Sequence, residues 1–190
     1  MEQPDRVAAV ILAAGESRRF GSPKQHAVLN GRTLLQHVVG AAVEAGLAPI
    51  VAVLPPETVV LSGAPVQIVP NAEPQLGMSH SLRLGVAALP AEVEAAVILL
   101  GDQPTIEPQL LHSLLAARGA TPFVAARVAG LLAPPVLVER SHFDMVQQPR
   151  GDIGLREILR SHAELVTAIE LARMPADIDT VADLRAIGGA

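Results

Sequence analysis

The 190-residue chain has no cysteine, tryptophan or tyrosine, and only three phenylalanines. Without cysteine there is no thiolate metal site, no disulfide and no cysteine nucleophile, and the redox compartment stays open. So few aromatic rings, on a chain of net charge −5, offer neither stacking platforms nor a basic face, and nucleic acid is not an expected partner. The first apolar run follows Glu2, Asp5 and Arg6 and stops at Gly15. It is too short for a membrane span and lacks a cleavage pattern, so the expectation is a cytoplasmic protein with no membrane partner. Several catalytic signatures are missing too. There is no Gly-x-Ser-x-Gly elbow for a hydrolytic triad, no Gly-x-Gly-x-x-Gly, and no histidine pair at metal-ligand spacing among the six. His37 reads as a structural residue of an amphipathic helix, whereas His80 is left without a role.

What is present is an apolar half, 50% of residues against 17% charged, enough for one compact domain over residues 1–190. Residues 7–13 (VAAVILA) form a continuous apolar run, the pattern of a strand covered on both faces. Similar strands are expected at 50–54, 66–69, 96–100, 123–128, 135–138 and 164–169. Helices are expected at 33–45, 78–89, 107–118, 139–146, 154–161 and 180–187, with Gly46 ending the first. Strand and helix alternate without internal repeat or long linker. That order predicts an α/β layered domain with a mainly parallel sheet.

In open α/β sheets the ligand lies outside the carboxyl ends of the strands. Three such ends carry polar signals. "VILAAGESRRFGSPK" (10–24) places Arg18, Arg19 and Lys24 on a loop punctuated by Gly15 and Gly21. Glycine lets backbone N–H groups approach an anion, and the cations supply charge-assisted donors, so a polyphosphate is the natural guest. It is no Walker A loop, because Ser22 and Pro23 separate Gly21 from Lys24. "VILLGDQP" puts Asp102 just past a buried strand, where a hard oxygen ligand beside a polyphosphate suits Mg²⁺; a turn or helix-capping aspartate is the alternative. Asp177 and Asp179 in "DIDT" point the same way if extended, and Asp179 with Thr180 also suits a helix cap. Asn71, Gly77, Ser79 and Ser81 surround a helix start, whose free N–H groups suit a base edge or an anion.

Taken in order, "LAAGESRRFGSPK", "GMSHSLRLG", "GDQP", "RGDIGLREIL" and "DIDTVADL" resemble the MobA-like nucleotidyltransferase family, and within it the molybdenum cofactor cytidylyltransferase branch. The likeness runs from about residue 7 to 187, and the first motif matches the family's Leu-Ala-Ala-Gly-x-Ser-x-Arg-x-Gly-x-x-Lys at every defined position. It implies a single-domain, Rossmann-like α/β/α fold that transfers a nucleotidyl group to a phosphate acceptor with Mg²⁺, or Mn²⁺ as the alternative, and releases pyrophosphate. By this resemblance Leu12, Ala13, Ala14, Gly15 and Ser17 lie against the nucleotide, and Arg19 and Lys24 neutralise the triphosphate; Arg18 is unassigned. Asp102 and Asp179 are the metal ligands, and Asn71, Gly77 and Ser79 or Ser81 meet the nucleoside. Leu12-Ala13-Ala14-Gly15 resembles the cytidylyl side, implying CTP in place of GTP. Molybdopterin is the implied acceptor and a molybdoenzyme the implied recipient. The sequence departs from the family at Ala133-Pro134-Pro135, where relatives commonly carry Gly-x-Pro, and at His80, where a small hydroxyl residue is common. A sugar-phosphate nucleotidyltransferase and a non-catalytic nucleotide-binding module remain the alternative readings.

Overall fold

The structure, a computed structural model, describes residues 6–15, 17, 19–56, 65–148 and 155–188. Arg18 and the "RGDIG" part of the fourth motif lie outside them.

Among the described residues, nine strands and six α-helices follow in the order β1 (Val7–Leu12), β2 (Val28–Leu29), β3 (Arg32–Thr33), α1 (Leu34–Glu44), β4 (Ile50–Leu54), β5 (Val66–Pro70), α2 (Met78–Ala87), β6 (Ala95–Leu100), α3 (Pro108–Ala116), β7 (Phe123–Val128), β8 (Leu131–Glu139), α4 (Phe143–Gln147), α5 (Leu155–Ser161), β9 (Val166–Glu170) and α6 (Val181–Gly188). Seven strands form one sheet in the order β5-β4-β1-β6-β8-β7-β9. All run parallel except β8, which is antiparallel to both neighbours.

The all-apolar β1 sits near the middle of the sheet, and its alternate side chains feed two separate cores. Val7, Ala9 and Ile11 pack with Leu35 and Val38 of α1 and Leu111 and Leu114 of α3. Ala8, Val10 and Leu12 pack on the other face with Leu82 and Val86 of α2, Phe143 of α4 and Leu159 of α5. The result is a three-layer α/β/α fold, as the run of buried strands implied. The first helix begins one residue later than expected because Thr33 is its cap: Gln36 N donates to Thr33 Oγ1 at 3.1 Å and Thr33 N to Gln36 Oε1 at 2.8 Å.

Several features differ from the sequence reading. Residues 28–33 form a small hairpin through Asn30 and Gly31, both at positive φ, a turn whose twist suits paired strands. Residues 135–138 belong to the longer strand β8, which crosses Pro134 and Pro135. A bulge accommodates them: Ala125 faces Val136, the next residue Ala126 faces Ala133, and the two prolines fall between. Pairing with β6 stops at Val136. Proline cannot donate to a ladder, and here neither is asked to. The expected helix over 139–146 is a short 3₁₀ turn, Arg140–His142, followed by α4.

Candidate active site

The site is assembled where β1, β6 and α2 present their ends to one cavity of about 320 Å³. Leu12, Ala13, Ala14 and Gly15 line it from β1, Leu100, Gly101 and Asp102 from β6, Pro74, Gly77, Met78 and Ser81 from around the start of α2, with Lys24 and Asp179 completing it. The two strand ends are in close contact. Gly101 N donates to Leu12 O at 2.9 Å, and a Cβ at Gly101 would stand 2.5 Å from Ala13 Cβ. Only a residue without a side chain lets the Asp102 turn lie against the first loop.

Lys24 is the hub. Its ammonium donates to Asp102 Oδ2 at 2.6 Å and to Asp179 Oδ1 at 3.0 Å, and Arg19 reaches the other oxygen of Asp179 at 2.9 Å. Burial alone would lower the Lys24 pKa, but hydrogen bonds and charge from the two carboxylates raise it above the ordinary lysine value. The lysine backbone is held as well. Lys24 N donates to Ser17 Oγ at 3.1 Å, and Ser17 itself turns the loop at φ 52° while its carbonyl accepts from Phe20 and Gly21.

Asp179 owes its place to the segment before α6. Ile178 is fully buried against Leu29 and Leu34, and its N–H donates to Asp102 O at 3.0 Å. In an extended segment this inward residue turns Asp177 and Asp179 the other way. The α6 cap is made by a different pair: Thr180 N and Oγ1 both donate to Asp183 Oδ2, at 2.7 and 2.8 Å. The Asp179 carboxylate is thereby free to face Lys24 and Arg19. Asp177 accepts from Gln103 Nε2 at 2.9 Å. The protein packed around its carboxyl raises its pKa, with Asp102 and Asp179 adding to the effect, against the Gln103 bond and Arg156. A neighbouring cleft of about 450 Å³ shares Met78, Leu100, Asp102 and Asp179 with the first cavity and adds Arg19, Asp177, Pro134 and Arg156.

Three expected nucleotide contacts stand off the cavity wall. Asn71 is fully buried and committed internally, donating to Ser81 Oγ at 3.0 Å and accepting from Glu73 N at 2.9 Å. It shapes the approach to α2 and holds Ser81 rather than facing the cavity. Ser79 is fully buried on α2, its Oγ without a hydrogen-bond partner among the described residues. Ser17 organises the Lys24 backbone instead. Of the two serines weighed for the nucleoside, the geometry puts Ser81 on the wall. Pro74, Met78 and Leu100 line the cavity without a polar signal in the sequence to mark them. The glycine at position 77, immediately before α2, was the available signal for Pro74 and Met78. Of the histidines, His37 Nε2 is 2.8 Å from Leu29 O, a structural bond. His80 lies 3.3 Å from Arg83 and 3.9 Å from Glu73.

A three-layer α/β/α fold whose mostly parallel sheet carries a glycine loop, a lysine and two carboxylates at its carboxyl edge is of the nucleotidyltransferase type. The pattern of the MobA-like NTP transferase domain matches residues 9–166, and the chain belongs to that family. Purine catabolism protein PucB of Bacillus subtilis (strain 168) is 28% identical over 184 residues, spanning 90% of this chain and 89% of that protein. Bifunctional protein GlmU of Xanthobacter autotrophicus is 35% identical over 124 residues, 62% of this chain. The match spans only 28% of that longer protein. Among solved structures, Rv0371c of Mycobacterium tuberculosis H37Rv superposes with a TM-score of 0.83 at 28% identity, covering 96% of this chain and 97% of that one. A manganese complex of Rv0371c gives 0.80 at 25% identity over 98% of this chain and 99% of that one. Among the described residues, no helix is long and apolar enough to cross a membrane.

Proposed function

We propose that this nucleotidyltransferase transfers CMP from CTP to the terminal phosphate of a molybdopterin-type acceptor, releasing pyrophosphate, in the cytoplasm. The observation that carries the reading is the convergence of Lys24, Asp102 and Asp179 on a cavity floored by the Leu12–Gly15 loop. The resemblance of Leu12-Ala13-Ala14-Gly15 to the cytidylyl branch supports CTP over GTP. The acceptor phosphate is already a competent nucleophile, so the protein needs in-line placement and charge cancellation rather than a strong base. The Leu12–Gly15 loop gives the triphosphate a close approach to backbone. Lys24, and Arg19 from the rim, stabilise the negative charge that builds on the departing pyrophosphate. Ser81 and the start of α2 face the nucleoside.

The donor set fits a divalent ion. Asp102 and Asp179 converge on one point, and no group of three or more acidic or histidine side chains is arranged for an ion among the described residues. Two carboxylates completed by substrate phosphates is how Mg²⁺ is commonly held. Such an ion would supply charge neutralisation across the phosphate oxygens, and the manganese complex of Rv0371c supports Mn²⁺ as an alternative to Mg²⁺. The adjoining cleft, with Arg19, Arg156 and Pro134, is suited to the acceptor. The likeness to PucB across nine-tenths of the chain supports a second reading, in which the same transfer serves purine catabolism through another acceptor. Pyrophosphate release with Mg²⁺ and molybdopterin, measured for CTP, GTP, ATP and UTP in parallel, tests the proposal. Release with CTP is expected; release only with another nucleotide, or only with a different phosphorylated acceptor, overturns the base or the acceptor respectively.

A further inference from the structure

The Lys24 ammonium occupies the point on which Asp102 Oδ2 and Asp179 Oδ1 converge. An ion held by those two oxygens needs that same point. A lysine cation and a dication cannot share it, because like charges a few ångströms apart in a half-buried site repel strongly. We infer that Lys24 is an exchangeable internal cation: triphosphate draws it off the two carboxylates, and only then are they open to the metal. Nucleotide and metal therefore strengthen each other's binding, and neither the ion nor the carboxylate pair is committed before substrate arrives. This rests on the nucleotidyltransferase reading above and concerns the order in which that site fills.

The geometry makes the exchange local. The lysine backbone is pinned by Ser17 Oγ, so the move is a rotation of one long side chain rather than a rearrangement of the loop. Lys24 is close to both carboxylates and its side chain is 18% exposed, so its hold on them is strong. Arg19 holds the remaining oxygen of Asp179 from a side chain that is 74% exposed. Water and salt screen that pair, and its hold is weak. The two cations of one loop should thus differ in how firmly they guard the carboxylates, although both are assigned to the triphosphate.

The test is a titration of the whole protein with Mn²⁺ alone, free ion being read by electron paramagnetic resonance. Wild type, Lys24→Met, Arg19→Met and Asp102→Asn are compared, each checked for a cooperative melt. Lys24→Met is expected to bind Mn²⁺ about tenfold more tightly than wild type, inside the roughly 5- to 150-fold range of coupling between sites. Arg19→Met should change it by about twofold or less, as expected for an exposed pair, and Asp102→Asn should weaken it. If Lys24→Met melts early, Lys24→Gln makes the same comparison. In the wild type, the Lys24 ammonium signal in lysine-selective NMR should move when Mg²⁺ and a non-hydrolysable CTP analogue are added together. Equal Mn²⁺ affinity in wild type and a folded Lys24 variant, or an unmoved ammonium signal with nucleotide bound, overturns the exchange. Pyrophosphate release is assayed on the same wild-type preparation. Release there with no gain in the Lys24 variant refutes only the exchange; a gain with no release from any nucleotide refutes the transfer reading instead.

Discussion

The two halves of the sheet solve different problems. In the half β5-β4-β1-β6 every strand is parallel, so all four carboxyl ends open on one edge, and that edge holds the lysine and Asp102. In the half β8-β7-β9 one strand is reversed, and β7 and β8 are joined by a tight turn at Ala129-Gly130. This half lends the site Pro134, from the bulge of β8, as part of the second cleft. Parallel strands gather loops; an antiparallel pair mainly builds core. The comparison implies that equal damage to the two halves should separate into lost chemistry and lost stability.

The largest effect is expected in the parallel half. Lys24→Ala or Asp102→Ala should lower turnover by roughly 10² to 10³, about 3 to 4 kcal/mol of barrier, with a near-normal melt, because each removes one electrostatic stabiliser from the reacting charge. Steady-state pyrophosphate release beside circular dichroism checks this. In the other half, Leu137 is fully buried in the core under α1 and α3. Leu137→Ala should cost about 3 kcal/mol of stability through transfer and cavity terms, read by urea unfolding, with turnover per folded molecule unchanged.

A pair of glycines sharpens the contrast. Gly101→Ala pushes a methyl against Ala13, and overpacking of this kind costs about 2 kcal/mol; because the two loops it separates line the cavity, turnover should fall too. Gly130→Ala meets no neighbouring atom but must hold φ +81°, a strain of about 1 kcal/mol. Activity should be untouched. If Gly130→Ala lowered turnover as much as Gly101→Ala, the division between the halves would be wrong.

The smallest effect concerns acid. Bonds from Thr180 and the Asp179 N–H hold the Asp183 carboxyl below the usual aspartate range. A depressed acid contributes stability that is present above its unfolded value and is lost as pH falls through the folded one. Urea midpoints measured down through the acid range should therefore fall less steeply for Asp183→Asn than for wild type.

The strands at 7–12, 50–54 and 95–100 were legible because each is a run of apolar residues with no competing signal. The hairpin at 28–33 was not, although Asn30-Gly31 is a strong turn signal, because strands of two residues carry no periodicity. The start of β8, before the expected strand at 135–138, was not legible because Pro134 argues against a ladder, and nothing local announces a bulge. In the candidate site, Lys24, Asp102 and Asp179 were all visible as charges beyond strands or in an extended acidic segment. Asn71, Ser79 and Ser17 were legible as polar residues in the right neighbourhood but not as buried or loop-holding ones, since burial depends on what packs above.

By itself, the amino-acid sequence determined the layered α/β class, the strand cores and the residue types capable of handling a polyphosphate, because apolar periodicity and loop chemistry act over a few residues. Only the tertiary structure decided that one ammonium lies between carboxylates 78 and 155 positions away, which of two aspartates caps α6, and which serine reaches the cavity. Those depend on sheet order and on where a buried residue such as Ile178 anchors its segment. They are set by the packing of distant parts of the chain, for which no short stretch of sequence carries the information.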